Sequence, residues 1–207
     1  MAVNVAYVAA ISGMSGAGKT SVVRRAVEIL GDAVSLHFDD YVSVSTYPSD
    51  LRRWLEEGAD VDVWETPQLT RDIRALREGS RVVLPGGCAV VEPAEVLLIE
   101  EPFGRMRRET EGLIDVAVHI DVPVDVMLAR RLLRRLTEER EQLGDRLIET
   151  LRGELEHHVE VGRRLQLHGA EVIRDAADLV LDGTLSIDEL AGRIADEVRR
   201  RRSGSAT

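Results

Sequence analysis

A glycine-rich octapeptide near the start of the chain limits the folds that it can adopt. Residues 13–20 read Gly-Met-Ser-Gly-Ala-Gly-Lys-Thr and match G-x-x-x-x-G-K-[ST] in full. An almost wholly apolar run over residues 3–11 precedes them, as expected for a strand buried on both faces of a parallel sheet. Apolar residues recur at helical spacing from Thr20 to Leu30, and Gly31 then supplies a stop signal. The sequence therefore predicts a strand, a phosphate-binding loop and a helix in succession.

The residue types of this loop indicate how it would bind phosphate. Glycines let successive backbone N–H groups point at phosphate oxygens, and the following helix adds the positive end of its dipole. Lys19 can reach the β and γ phosphates, and the Thr20 hydroxyl is suited to Mg²⁺. Lys19 is the only lysine among 27 basic residues, which fits a tight anion site because the fork of an arginine needs more width. The predicted nucleotide-binding residues are Gly13, Ser15, Gly16, Ala17, Gly18, Lys19, Thr20 and Ser21.

Further strand and helix patterns alternate along the rest of the chain. Strands are predicted over residues 33–38, 95–99, 115–122 and 179–181, with helical patterns between most of them. Residues 81–91 predict a small hairpin, because two apolar runs flank a Pro-Gly-Gly turn. The alternation predicts an α/β fold with a mainly parallel five-stranded sheet and helices on both faces, in which ligands bind beyond the carboxyl ends of the strands. One domain is expected over residues 1–198, followed by a flexible basic tail over residues 199–207.

Composition excludes several classes of function. A formal charge of −10 argues against general binding to nucleic acid or to an anionic membrane surface, so we expect a small-molecule partner. Cys88 is the only cysteine, which rules out an internal disulfide; we interpret it as a small core residue. No apolar run is long enough to span a bilayer, and residues 1–10 lack the basic start of a secretory signal. We therefore expect a cytoplasmic protein, and the possibility of a homo-oligomer stays open.

The other sequence features narrow the class of phosphate-binding-loop protein. A GTPase would read guanine with N-K-x-D, but Asn4 is the only asparagine and there is no second lysine. A transporter-type ATPase would carry a glycine-rich signature helix, which is missing. Over residues 5–183 the chain resembles the uridine kinase and phosphoribulokinase family, with nicotinamide riboside kinases as close relatives. The segments that carry this resemblance are residues 13–20, 37–41 (His-Phe-Asp-Asp-Tyr), 96–100 (Val-Leu-Leu-Ile-Glu), 125–135 (Asp-Val-Met-Leu-Ala-Arg-Arg-Leu-Leu-Arg-Arg) and, more weakly, 177–183.

The resemblance implies a three-layer P-loop NTPase fold that uses ATP and Mg²⁺. Asp39 and Asp40 follow the second predicted strand, and Asp39 occupies the position of the catalytic base in that family. A helix or turn cap is the alternative reading of either aspartate. Glu100 ends an apolar run, as a Walker B acid does, so Thr20, Glu100 and Asp39 are the candidate metal ligands; an exposed strand end is the alternative for Glu100. Relatives usually have glycine next, whereas this chain has Glu101.

The resemblance also implies a helical lid over about residues 127–145. Four arginines there form two pairs one helical turn apart, and we select Arg131 and Arg134 as the residues that stabilise the transferring charge. A solvated basic face is the alternative interpretation. Relatives often continue with R-G-R, where this chain reads Glu139-Arg140-Glu141.

The segment that binds the acceptor in the resembled family carries most of the aromatic residues of this chain. The chain has seven, and five of them fall between residues 38 and 64, namely Phe38, Tyr41, Tyr47, Trp54 and Trp64. They could stack on a planar base or line an apolar pocket, although ordinary core packing explains any single ring equally well. Glu65 takes the place of an acid that contacts ribose hydroxyls in uridine kinases. The predicted substrate-contacting residues are Asp40, Tyr41, Trp64 and Glu65. His157, His158 and His168 lack zinc-ligand partners and are expected at the surface.

Together these features predict an ATP-dependent kinase with Lys19, Asp39, Arg131 and Arg134 as its catalytic residues. The expected acceptor is a hydroxyl of a small molecule, first of all a nucleoside of the uridine or cytidine type. Nicotinamide riboside, a sugar or a vitamin precursor is the alternative acceptor. A second alternative is an ATP-binding regulatory module whose hydrolysis switches a partner without small-molecule transfer.

Overall fold

The computed structural model of the chain describes residues 6–87, 89–138, 141 and 144–204. Residues 3–5 of the first predicted strand, Cys88, residues 139–140 and 142–143 of the lid, and residues 205–207 of the tail lie outside this part. Within it, the strands are β1 (Tyr7–Ser12), β2 (Ala33–His37), β3 (Val82–Val83), β4 (Val90–Val91), β5 (Val96–Glu100), β6 (Val116–Asp121) and β7 (Leu179–Asp182). The helices are α1 (Lys19–Leu30), α2 (Leu51–Glu56), α3 (Pro67–Arg77), α4 (Arg108–Glu111), α5 (Val124–Thr137), α6 (Leu147–His157), α7 (Arg163–Asp175) and α8 (Ile187–Gly204).

The main sheet is parallel, as the alternation of strand and helix patterns predicts. Among the described residues it has five strands in the order β2-β5-β1-β6-β7, and every neighbouring pair is parallel. The register pairs Ile11 with Glu100 and His37 with Glu100. The carboxyl ends of β1, β2 and β5 therefore lie side by side, and the residues that follow them share one edge of the sheet.

Helices cover both faces of the sheet because successive strand residues point to opposite sides. Ala9 and Ile11 belong to a core on one face, built with side chains of α1 and α8. Val8 and Ala10 belong to the core on the other face, which includes Leu69, Ile73 and Leu76 of α3. The continuous apolar runs of the central strands thus serve two cores, and the three-layer fold is confirmed.

The smaller predictions have mixed outcomes. The hairpin is confirmed, since β3 and β4 pair antiparallel. Residues 199–204 of the expected tail form the end of α8, which continues to Gly204. There Arg199 donates to the Ile29 carbonyl at 2.7 Å, and Arg202 pairs with Glu95 at 2.7 Å. His158 is buried, contrary to the expected surface position, because it lies in a π-helical turn that faces inward between α6 and α7. No helix in the described part of the chain is long and apolar enough to span a membrane.

Gly183 follows β7 in a space with no room for a side chain. A Cβ atom there would lie 2.2 Å from Val122 Cγ2 and 2.7 Å from Ile120 Cγ2. We predict that Gly183→Ala lowers the free energy of unfolding by about 1–3 kcal/mol, because these buried atoms would have to move. Gly192→Ala in α8 is the matched control: its Cβ meets nothing within 4 Å, and alanine is the better helix former. Chemical denaturation measures both, and equal stabilities for the two variants would contradict this packing.

Candidate active site

The phosphate-binding loop connects β1 to α1 at the carboxyl edge of the sheet. Gly18 precedes the helix in a left-handed conformation, with φ of 89°, and no side chain caps the first amides of α1. These amides are therefore available to an anion, in line with the helix dipole. Gly16 allows close contact with α5, since a Cβ there would lie 2.7 Å from the Met127 carbonyl oxygen. The loop thus packs directly against the helix that carries the predicted lid arginines.

Glu100 is the centre of the polar contacts beside this loop. Its Oε2 accepts a hydrogen bond from Thr20 Oγ1 at 2.9 Å and lies 2.8 Å from His37 Nδ1. Its Oε1 lies 3.7 Å from Lys19 Nζ, and both side chains are largely buried. Ser35 Oγ lies 3.1 Å from the other ring nitrogen of His37. The structure therefore brings together Lys19, Thr20 and Glu100, and adds His37, to which the sequence pattern assigned no role.

The charges of this cluster influence one another. Burial lowers the pKa of Lys19, and the negative charges of Glu100 and Asp39 oppose that shift. Burial alone would raise the pKa of Glu100, but the hydrogen bond to His37, the charge of Lys19 and the hydrogen bond from Thr20 together lower it. Glu100 is therefore held as a carboxylate, the form that can bind a metal ion.

The donor set at this edge fits Mg²⁺. Mg²⁺ prefers oxygen ligands and is usually bound through one or two carboxylates together with substrate phosphates and water. Thr20 Oγ1 and the Glu100 carboxylate supply two such oxygens side by side. Within the described residues no group of three or more His, Cys, Asp or Glu side chains could hold a metal ion, so an all-protein metal cage is not formed there.

One cleft of about 630 Å³ joins the loop to the aromatic segment. Its loop side is lined by Gly13, Ser15, Gly16, Gly18, Lys19, Thr20, Ser21, Asp39 and Glu100. Its other side is mainly apolar, with a few polar side chains. The apolar residues there are Phe38, Leu51, Trp54, Ala59, Val61, Trp64, Pro102, Phe103, Met106, Leu165, Val172 and Ile173, and the polar ones are His157, Gln166 and His168. The cleft thus has a polar end that suits phosphate and an apolar end that suits an organic group.

Arginines of α5 form a further part of the wall. Arg130, Arg131 and Arg134 all line the cleft. Arg131 is held by an ion pair in which its Nε donates to Glu154 Oε1 of α6 at 2.6 Å. Arg130 donates to the Gly183 carbonyl at 3.0 Å. The positive charge of Arg134 contributes to the lowered pKa of Lys19. The two selected arginines therefore do face the cleft, and Arg130 joins them.

Three predicted substrate contacts do not line the cleft. The chain after β2 forms a 3₁₀ helix over Phe38–Val44, in which residues three apart share a face. Phe38 and Tyr41 therefore point inward together. Tyr41 is 0% exposed, and its hydroxyl donates to Asp72 at 2.9 Å, so the prediction that it contacts substrate is wrong in this structure. Asp40 is exposed but, unlike Asp39, is not among the described residues that line the cleft.

Glu65 is the third of these residues. Its backbone pairs with Thr46, and its exposed side chain lines a second depression together with Asp62, Arg108 and Trp64, of which Trp64 also lines the cleft. Glu65 is therefore not among the described residues that line the cleft, and its contact with acceptor hydroxyls stays a prediction. Trp64 does line the cleft, as predicted. Sequence reasoning did not identify Phe103, although it lies three residues beyond Glu100, nor Ile173, which α7 brings from a distant part of the chain without a local signal.

Comparison with known proteins identifies the family to which this geometry corresponds. The profile of the Phosphoribulokinase / Uridine kinase family matches residues 8–144, which include the loop, Glu100 and α5. The chain belongs to this family.

Similar proteins cover most of the chain at low identity. A uridine kinase from Halobacterium salinarum is 26% identical over 189 residues, which make up 82% of this chain and 80% of that protein. A uridine kinase from Borrelia duttonii is 24% identical over 183 residues, with 83% and 84% covered. A crystal structure from Silicibacter sp. TM1040, assigned as a fructose transport system kinase, is similar in fold, with a TM-score of 0.56 at 21% identity over 85% of this chain and 89% of that one. As a member of this family the chain is an ATP-dependent small-molecule kinase with a P-loop.

A substitution of Tyr41 tests whether this residue belongs to the core and not to the cleft. We predict that Tyr41→Phe lowers the free energy of unfolding by about 1 kcal/mol, because the hydrogen bond to Asp72 is lost. The KM for the acceptor should not change, since the ring lies outside the cleft. Denaturation and steady-state kinetics measure the two effects, and a raised acceptor KM would show that Tyr41 meets the substrate after all.

Proposed function

We propose that the chain transfers the γ-phosphate of ATP to a hydroxyl of a neutral small molecule with a planar or apolar body, first of all a nucleoside. The observation that carries this proposal is the two-ended cleft, in which the P-loop and Glu100 share one cavity with an aromatic lining. Such a cavity can bring an organic alcohol next to the terminal phosphate and exclude water from both.

The residues at the polar end divide the work of phosphoryl transfer. Asp39 accepts the proton of the acceptor hydroxyl. At the same time the hydroxyl oxygen of the acceptor bonds to the γ-phosphorus, and the bond between the γ-phosphorus and the leaving ADP breaks. Lys19 balances the negative charge on the phosphates, and Arg131 and Arg134 add charge from the lid, which we place at about residues 127–145. Thr20 and Glu100 are the residues that would hold Mg²⁺, which when bound neutralises phosphate charge.

The distribution of charge at the cleft favours a neutral acceptor. Among the described lining residues, the lysine and arginines are Lys19 of the P-loop and three arginines of α5. The rest of the described lining is mainly aromatic and aliphatic, with His157, Gln166 and His168 as well. It suits stacking on a planar ring and offers a phosphorylated sugar no further lysine or arginine. The aromatic lining supports a nucleoside with a neutral planar base over a simple sugar, and over nicotinamide riboside, whose pyridinium ring is positively charged. A formed apolar cavity supports transfer to an acceptor over a purely regulatory hydrolysis.

An acceptor panel tests the proposal directly. Purified protein is incubated with Mg-ATP and uridine, cytidine, nicotinamide riboside, fructose or ribulose 5-phosphate, and products are identified by mass spectrometry. We expect acceptor-dependent ADP release with a phosphorylated nucleoside. Turnover with a sugar phosphate alone would contradict the neutral acceptor. ATP hydrolysis that no acceptor stimulates, without any phosphorylated product, would instead support the regulatory module.

Asp39 and Asp40 form a matched pair for testing the base. They are adjacent exposed carboxylates of one 3₁₀ helix, and Asp39 lines the cleft whereas Asp40 does not. We predict that Asp39→Asn retains ATP binding but loses transfer by about 10²-fold or more, the usual contribution of a general base. Asp40→Asn should retain near wild-type kcat. If Asp40→Asn alone abolishes transfer, the assignment of the base is wrong.

Lys19 tests the role of the P-loop. We predict that Lys19→Ala lowers kcat by about 10²-fold to 10³-fold, because charge on the transferring phosphate is unmatched. Lys19→Arg should fail to restore the rate, since a guanidinium fork is too wide for a largely buried site between the loop and Glu100. Near-normal turnover by Lys19→Ala would refute the P-loop assignment.

A further inference from the structure

A charged cluster is buried directly behind the apolar end of the cleft. The side chains of Glu101 and Arg107 are both 0% exposed, and the guanidinium of Arg107 contacts the carboxylate of Glu101. Arg107 also contacts Glu109, whose Oε1 accepts hydrogen bonds from the Thr66 amide at 2.7 Å and the Thr66 hydroxyl at 2.8 Å.

Stability is a weak explanation for such a cluster. Removing charges from water is costly, and an apolar pair of similar size is often as stable as a buried ion pair. Burial raises the pKa of Glu101, against the opposing effect of Arg107, which shows the cost of keeping this carboxylate charged. Arg107 Nε is also buried with no hydrogen-bond partner among the described residues. What the cluster offers in return is fixed geometry, because a guanidinium directs several donors at defined angles.

The contacts of the cluster lead to the aromatic wall of the cleft. Arg107 Nη1 donates to the Trp64 backbone carbonyl at 2.8 Å and to Thr66 Oγ1 at 2.6 Å. Glu101 Oε1 accepts a hydrogen bond from the Phe103 amide at 3.2 Å. The rings of Trp64 and Phe103 lie 5.4 Å apart, and the Arg107 guanidinium lies 5.5 Å from the centroid of the Phe38 ring. One buried ion pair thus holds the backbone at two of the rings that line the acceptor end and packs on a third.

We propose that the Glu101–Arg107 pair determines acceptor specificity by fixing the positions of Trp64 and Phe103. This inference rests on the proposed function. Both residues act as positioning residues, since their side chains are buried behind the wall and do not line the cleft. A wall held in this way accepts a ring of one size and orientation, whereas a wall released from the pair adapts to several acceptors with weaker binding to each.

The test is an apolar replacement of the pair. Glu101→Leu with Arg107→Met keeps similar volumes buried and removes both fully buried charges. Glu109 loses its contact with Arg107 but is partly exposed and keeps its hydrogen bonds from Thr66, so the variant should fold, as circular dichroism and thermal denaturation would verify. We expect the acceptor KM to rise about tenfold or more, with little change in the KM for ATP. The double variant should also be less specific, so that the kcat/KM values of different acceptors become more nearly equal. Arg107→Lys keeps the positive charge but not the forked guanidinium, so its acceptor KM should lie between those of the wild type and the double variant.

Two further measurements separate positioning from general damage. Trp54 and Trp64 are the only tryptophans of the chain and both line the cleft, so intrinsic fluorescence and its quenching by acrylamide report on this wall. We expect greater quenching in the double variant than in the wild type. Arg108→Met is the matched control, because Arg108 neighbours Arg107 but is exposed and pairs with Asp62. It should change neither the acceptor KM nor the quenching.

The outcomes distinguish this inference from the proposed function. A folded double variant with unchanged acceptor KM and preference overturns the positioning role alone, and so does an equal loss in the KM for ATP and the acceptor. Absence of acceptor-dependent turnover in the wild-type protein contradicts the proposed function and, with it, this inference.

Discussion

The register of the parallel sheet is the constraint on which the rest of the site depends. Because β5 lies between β1 and β2, Glu100 ends its strand next to the P-loop on one side and His37 on the other. A carboxylate placed there meets Lys19, Thr20 and His37 within one cluster. These interactions keep Glu100 charged, because together they outweigh the effect of burial, which alone would raise its pKa. A shift of β5 by one residue would turn this side chain to the other face of the sheet and dissolve the cluster.

The parts of the structure with local causes could be predicted from the sequence. The strand, loop and helix around Lys19 follow from an apolar run, a glycine motif and helical spacing. Glu100 could be identified because it ends such a run. The sequence does not indicate that Asp39 lines the cleft while Tyr41 is buried, because the direction of each side chain depends on the 3₁₀ helix after β2. The burial of His158 and the length of α8 depend on residues far away in the chain, such as Ile29, whose carbonyl accepts a hydrogen bond from Arg199. No local sequence pattern predicts such contacts.

The acceptor end shows how a tertiary contact changes the meaning of a residue. Glu101 reads as an extra negative charge in the sequence, yet in the structure Arg107 takes up its carboxylate inside the protein. Glu65 reads as an acid for acceptor hydroxyls, yet in the structure it lines a neighbouring depression and not the cleft itself. The aromatic segment retains its predicted importance through Phe38, Trp54 and Trp64, and Phe103 completes the wall. The apolar character of this end is therefore better established by the structure than by the position of any single motif.

Titration calorimetry of ATP binding tests the central role of the Glu100 cluster most directly. The account predicts that wild-type protein binds ATP much more tightly with Mg²⁺ than with EDTA, and that Glu100→Gln loses most of this difference while it still binds ATP. Wild-type protein without any magnesium-dependent affinity for a nucleoside triphosphate would contradict the account.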